Sequence, residues 1–229
     1  IRTIERGNNN DIWIGSENNG LFLLDLKTQI IKSIKQVPDK IKSLYFNDKV
    51  LWIGTNGNGL KSYNTIRNDI ETYTIESGLS NNVIYAILPD EKGNLWLSSN
   101  KGITQFNIKH KQLKHIKNYT ENSGLQSFEF NTGAYFKAQD GTLFFGGLEG
   151  VNWFSPGDLT SNQVKPKTVI SSFEIFNKKL TMIPEATFQH NQNTMTFMLA
   201  SLHFSEPSKN LYRYKLLNHD TDWTTPSFN

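Results

Sequence analysis

The sequence predicts an all-β protein: a partial β-propeller of about four blades, followed by an incomplete immunoglobulin-like β-sandwich. Three observations carry this. An aromatic-centred motif recurs four times, with Trp13, Trp52, Trp96 and Phe144 at its centre, separated by 39, 44 and 48 residues. A period of this length filled with strand-type segments is propeller spacing, and no stretch shows the 3.6-residue period that helical repeats require. After Phe154-Ser155-Pro156-Gly157 the repeat stops and alternating segments of a different kind follow.

The repeat reads Ile12-Trp13-Ile14-Gly15-Ser16 before Gly20-Leu21, and Leu51-Trp52-Ile53-Gly54-Thr55 before Gly59-Leu60. It returns as Leu95-Trp96-Leu97-Ser98-Ser99 before Gly102-Ile103, and as Leu143-Phe144-Phe145-Gly146-Gly147 before Gly150-Val151. Within one period four strands are expected: Asn82–Leu88 as the buried inner strand, Leu95–Ser98, the alternating Ile103–Ile108, and Leu113–Ile116 as the outer strand. Gly, Asn and Asp between them supply turn conformations. The recurring aromatic is expected to pack between adjacent blades, because one blade cannot bury both its faces.

Residues 1–157 are therefore assigned to propeller blades, 158–167 to a linker and 168–229 to the start of the sandwich. The expected sandwich strands are Thr168–Phe176, Thr194–Ala200 and Leu211–Leu216, with Tyr212, Tyr214 and Trp223 in its core. Four blades lie at the lower limit for a ring, and the chain opens as though within a blade. It is expected to be a piece of a longer protein, the later part of a larger ring.

Of the 229 residues, 37% are hydrophobic, 12% aromatic and 20% charged, a balance that suits a folded sheet protein. The net charge is +3 and the longest basic run is Lys178-Lys179, so nucleic acid and anionic membrane have no footprint. The absence of cysteine excludes disulfides and thiolate metal sites. No apolar stretch approaches the roughly 20 residues that span a bilayer.

Leu51-Trp52-Ile53-Gly54-Thr55-Asn56 through Gly59-Leu60 resembles the two-component regulator propeller (Reg_prop) repeat, and Gly78-Leu79-Ser80-Asn81-Asn82-Val83 resembles the segment that opens its blades. Gly124–Asn131 is similar to the variant before a last blade, with Phe128 where a small polar residue is expected. Pro166 to Trp223 resembles the opening of a Y_Y_Y domain, with Tyr212–Leu216 and Asp222-Trp223 as the signature portions. The resemblance implies the periplasmic sensor region of a Bacteroides-type hybrid two-component system. Such a receptor is an inner-membrane histidine kinase, here with its anchor and catalytic domains outside these residues. It detects an oligosaccharide from polysaccharide breakdown, as a homodimer.

Catalytic chemistry finds little to work with, and no catalytic residue, cofactor or metal is expected. There is no HExxH, no His-x-His and no Gly-x-Ser-x-Gly elbow. His110 and His115 flank an expected turn and can approach each other, in reach of a metal or as solvated turn residues. Glycoside hydrolysis needs two facing carboxylates, whereas Asp90, Glu91 and Asp140 fall in expected turns. For ligand binding the candidates are Gln126, Glu129 and Asn131, whose amides and carboxylate suit sugar hydroxyls, with Tyr135 and Trp153 as aromatic faces. The same polar groups suit bonds to a neighbouring blade's backbone. Two other classes compete with a sensor: a structural or protein-interaction propeller, and a propeller lyase or hydrolase.

Overall fold

The computed structural model describes residues 1–8, 10–110, 115–159, 167–180, 187–202 and 212–224. The chain divides into two compact units, Ile1–Thr160 and Ser161–Asn229. The division falls within the expected linker, of which 160–166 lie outside the described residues.

The first unit is a succession of antiparallel sheets, each meandering from an inner to an outer strand. The first contains β1 (Thr3–Arg6), β2 (Asp11–Gly15), β3 (Leu21–Asp25) and β4 (Ile30–Ile34) in that order. The second contains β5 (Ile41–Asn47), β6 (Val50–Thr55), β7 (Leu60–Asn64) and β8 (Asp69–Tyr73). The third contains β9 (Ala86–Pro89), β10 (Asn94–Ser99), β11 (Gly102–Asn107) and β12 (Lys117–Tyr119). The fourth has three strands, β13 (Phe130–Lys137), β14 (Leu143–Gly147) and β15 (Gly150–Phe154). The chain therefore does not open within a blade: β1 is the first strand of a complete four-stranded sheet.

Two expected strands move. The inner strand of the third sheet starts at Ala86, because Val83 instead bridges back to Asn56 of the preceding sheet. The outer strand falls on Lys117–Tyr119, where Tyr119 pairs with Ile103; Lys111–Lys114 lie outside the described residues.

The repeated tryptophans pack between sheets. Trp13 joins Ile41, Leu44, Leu51 and Tyr63 between the first and second. Trp52 joins Leu79, Ile84, Leu97 and Phe106 between the second and third, and Trp96 joins Phe130, Leu143 and Phe145 between the third and fourth. Edge-to-face pairs such as Trp52–Phe106 at 5.6 Å and Trp96–Phe154 at 4.9 Å add directional stabilisation of about 1 kcal/mol each to the area buried.

The turns are set by local side-chain chemistry. Asp25, Asn64 and Asn107 each end the third strand of a sheet, and each Oδ1 accepts two backbone N–H bonds that close the turn to the fourth. The third and fourth sheets are opened by matching segments, Thr74–Leu79 and Thr120–Leu125, each with a 3-10 turn, a Thr–Ser capping box and a glycine of positive φ.

The second unit contains one sheet among the described residues: β16 (Thr168–Ile175) at the centre, between β17 (Lys178–Leu180) and β18 (Met195–Ser201). A two-residue hairpin, Phe176-Asn177, joins β16 to β17, a strand the sequence pattern did not suggest. Phe173 is buried against Phe188 and Phe197. The expected third strand is not one. Tyr212 makes a single bridge, residues 213–216 are irregular, and Leu211 lies outside the described residues. Nor are its aromatics core: Tyr214 and Trp223 are 64% and 56% exposed, because no described second sheet covers them. Arg213 instead stacks on the Trp223 ring.

Candidate functional site

The innermost strands converge. β1 touches β5, β5 touches β9, β9 touches β13, and β13 also reaches β5. Where they meet, side chains from three sheets form one polar cluster. Glu5 of β1 accepts a bond from the backbone N–H of Phe46 at 3.0 Å. Burial pushes its carboxyl above its ordinary value, and the Phe46 bond only partly offsets this. Tyr135 of β13 hydrogen-bonds the Thr3 side chain across the cluster. Burial raises the Tyr135 hydroxyl and the charge of Glu5 raises it further, against the Thr3 bond. Tyr45 of β5 is raised by burial, then by the charges of Glu5 and Glu91. At the exposed rim Lys137 donates to Glu91 at 2.7 Å.

The five candidate residues do not converge. Tyr135 belongs to the axial cluster. The charge of Glu129 acts on Tyr85, whose hydroxyl is raised first by burial. Gln126 is occupied within the fourth sheet. Its Oε1 accepts from the Glu149 N–H at 2.6 Å, its Nε2 donates to the Glu129 carbonyl at 3.3 Å, and its backbone N–H donates to Asn152. It does for the fourth sheet what Ser80 does for the third, where the Ser80 N–H donates to Thr104. Asn131 is exposed, and Trp153 is 68% exposed on the outward face of β15.

Sequence reasoning missed Glu5 and Tyr45. A signal existed: both pair across the strand with the recurring tryptophan, Glu5 with Trp13 and Tyr45 with Trp52. His110 and His115 do come together, with ring centroids 4.9 Å apart. Among the described residues no three His, Asp or Glu side chains are grouped to hold a metal.

Chemically, the axial cluster offers two phenol hydroxyls, a threonine hydroxyl and a carboxyl that burial biases toward its protonated form. This is a mixed donor and acceptor set suited to a polyhydroxylated ligand.

Residues 78–101 match the two component regulator propeller family. These residues are the opening segment and the first two strands of the third sheet, including Trp96. The whole chain is similar to the extracellular domain assigned to the hybrid two component system BT3049 of B. thetaiotaomicron. The TM-score is 0.79 and the identity 24%, over 97% of this chain and 32% of that one. The extracellular domain assigned to the hybrid two component system BT4673 of the same organism aligns with a TM-score of 0.51 and 18% identity, over 97% of this chain and 30% of that one. Histidine kinase P4 of Formosa agariphila is 24% identical over 99% of this chain and 18% of its own length. The chain thus spans about a third or less of each relative. The all-β propeller architecture is shared with these extracellular domains, and no helix among the described residues is long and apolar enough to cross a membrane.

Proposed function

We propose that this chain is part of the periplasmic ligand-sensing region of a hybrid two-component histidine kinase, and that its ligand is an oligosaccharide released from a polysaccharide. The observation that carries the reading is the regulator-propeller match at residues 78–101, within a fold shared with extracellular domains of such systems. The axial hydroxyls of Thr3, Tyr45 and Tyr135 and the carboxyl of Glu5 supply the sugar contacts. In this reading the chain carries no catalytic step and needs no cofactor. The second unit, which resembles a Y_Y_Y domain on Tyr212–Leu216 and Asp222-Trp223, relays binding toward a membrane anchor elsewhere in the protein. Ligand binding acts by favouring one of two arrangements of a homodimer, since a ligand shifts only equilibria between states it binds unequally.

The test is a thermal-shift panel of purified oligosaccharides against the receptor ectodomain that contains these residues. A ligand of the folded state adds about 2.7 kcal/mol of stability at a hundredfold excess over Kd. One glycan class is expected to raise the melting temperature with no product formed, and Tyr45→Phe with Tyr135→Phe is expected to weaken that shift while the fold persists. Silence across the panel from folded protein would sink the oligosaccharide reading. A second reading, a protein-interaction propeller, is favoured by the exposed apolar residues Phe136, Val151 and Trp153 on the last sheet. It predicts that silence together with a protein-dependent shift.

A further inference from the structure

We propose that Asn19-Gly20 is a site of spontaneous covalent modification, where Asn19 converts to a mixture of aspartate and isoaspartate while the pairs Asn56-Gly57 and Asn58-Gly59 are held back by the fold. The site is independent of any ligand.

The chemistry needs a free backbone amide and a free side chain. The Gly20 nitrogen, having lost its proton to water, attacks Cγ of Asn19. The Cγ–Nδ2 bond breaks and Nδ2 takes up a proton and leaves as ammonia, closing a cyclic imide. Water then opens the ring. Cleavage between the Gly20 nitrogen and Cγ gives aspartate; cleavage at the Asn19 main-chain carbonyl carbon gives isoaspartate, whose backbone runs through Cβ and Cγ. Nothing is oxidised or reduced. Glycine favours the attack because it has no Cβ to hinder the nitrogen.

The three pairs lie in the matching turns after β2 and β6, and their bonding differs. The Asn58 Nδ2 donates to Asp39 Oδ1 at 2.6 Å, its N–H donates to Thr55 Oγ1 at 3.0 Å, and the Gly59 N–H donates to the Asn82 carbonyl at 2.8 Å. Asn56 donates its N–H to the Lys40 carbonyl at 2.8 Å and bridges to Val83, while the Gly57 N–H donates to the Asn82 carbonyl at 3.2 Å. Asn19 is exposed and only its backbone N–H is bonded, to Ser16 Oγ at 3.2 Å. Neither the Asn19 side chain nor the Gly20 N–H has a partner among the described residues.

The missing acceptor has a cause within the chain. Gly59 and Gly102 each donate to the segment that opens the next sheet, at the Asn82 and Phe128 carbonyls, 2.8 and 2.6 Å away. Those segments span residues 74–85 and 120–129. The one that opens the second sheet spans only 35–40, and the chain there meets the first sheet through the Val37 carbonyl and the Ile41 N–H, so no carbonyl reaches the Gly20 N–H.

The product does not fit the turn that forms it. The Gly20 carbonyl accepts the Ser16 N–H at 2.9 Å, and a Cβ on Gly20 would overlap the Val37 carbonyl oxygen. The extra backbone atoms of isoaspartate displace Gly20 and loosen the Leu21 N–H bond to Val37, now 3.1 Å.

The test incubates the receptor ectodomain that contains these residues at neutral pH and follows each asparagine by peptide mass spectrometry, with fragmentation that separates isoaspartate from aspartate. Each side-chain or glycine N–H bond that must break before ring closure slows it about tenfold. Asn19 is therefore expected to convert about tenfold faster than Asn56 and about a hundredfold faster than Asn58, with the three rates converging in urea. Asp39→Ala frees the Asn58 side chain and is expected to speed Asn58 about tenfold. Conversion of Asn19 no faster than that of Asn58 in the folded protein, rate ratios that urea leaves unchanged, or an Asn58 rate indifferent to Asp39→Ala overturns the proposal. Asn19→Asp carries the new charge without the longer backbone, so the isoaspartate fraction is expected to exchange the Leu21 amide faster than that variant; equal exchange overturns the backbone consequence.

Discussion

Replacing Asp90 by alanine tests how the best-matched repeat holds its tryptophan. Asp90 opens the turn between β9 and β10, and its carboxylate accepts four bonds. Oδ1 takes the backbone N–H of Lys92 and of Asn94, both at 2.8 Å; Oδ2 takes Asn94 Nδ2 at 2.8 Å and Trp96 Nε1 at 2.9 Å. The Lys92 amide is exposed and water replaces its partner. Asn94 and Trp96 are 7% and 1% exposed, so their donors have no such substitute. An orphaned buried donor costs about 1–3 kcal/mol, and local relaxation recovers part of that. The expected loss is about 2–4 kcal/mol, a large fraction of a typical folding stability. The first sheet limits the upper end: the Trp13 Nε1 is buried with no partner among the described residues, and Gly7 stands six residues before it as Asp90 stands before Trp96.

The pH dependence supplies an independent check. Burial acts to raise the Asp90 carboxyl, but the bonds from Asn94, Trp96 and Lys92 outweigh it and hold it below its ordinary 3.8. A depressed carboxyl contributes stability above its unfolded value and loses it as pH falls through the lower folded value. The gap between parent and variant is therefore widest at neutral pH and narrows below about pH 3.8. Urea denaturation at pH 7 and in acid, with m unchanged, measures both effects. A loss under about 0.5 kcal/mol at pH 7, or a gap that does not narrow in acid, would refute the reasoning.

Gly59→Ala, which drives a methyl into the Tyr73 carbonyl at φ 76°, is expected to cost about 2 kcal/mol or more. Gly57→Ala, also at positive φ but facing open space, should cost only about 1 kcal/mol of backbone strain; equal losses in urea titrations would argue against the close approach of the Tyr73 carbonyl to Gly59. Glu5→Gln keeps an acceptor for the Phe46 N–H and removes a charge that burial disfavours. Because the folded carboxyl sits above its ordinary 4.5, the parent loses stability as pH rises through that window. The variant should be the more stable at pH 7, and a less stable variant there would contradict the axial placement of Glu5. Gln126→Ala should lower stability by about 1 kcal/mol through the lost Glu149 and Glu129 bonds, while the affinity for any glycan found in the thermal-shift panel stays unchanged. A selective loss of that affinity would return Gln126 to the ligand site.

The repeat was legible because its residues answer to local rules. Trp13, Trp52 and Trp96 recur with flanking β-branched or leucine neighbours and a trailing glycine, and a strand period of two fixes which face each presents. Their burial between sheets followed directly. The limits of the second unit were legible only in part: the strands at Thr168 and Met195 alternate clearly, whereas Tyr212–Leu216 alternates equally well and is not a strand. Alternation marks a segment that suits a sheet, but a ladder needs a partner, and partners are set by the rest of the chain.

The axial cluster belongs to tertiary structure. Glu5, Tyr45 and Tyr135 come from three sheets and meet only because the inner strands converge, so no spacing along the chain announces them. Gln126 looked like a ligand contact by residue type; its bonds to Glu149 and Glu129 within the fourth sheet leave it a pin. Gly57 and Gly59 both read as turn glycines in the sequence, and both have positive φ. Only the packing of the Tyr73 carbonyl against Gly59, with nothing described near Gly57, separates the two. Sequence fixes what each residue can do locally, and the convergence of strands decides which of those capacities are used.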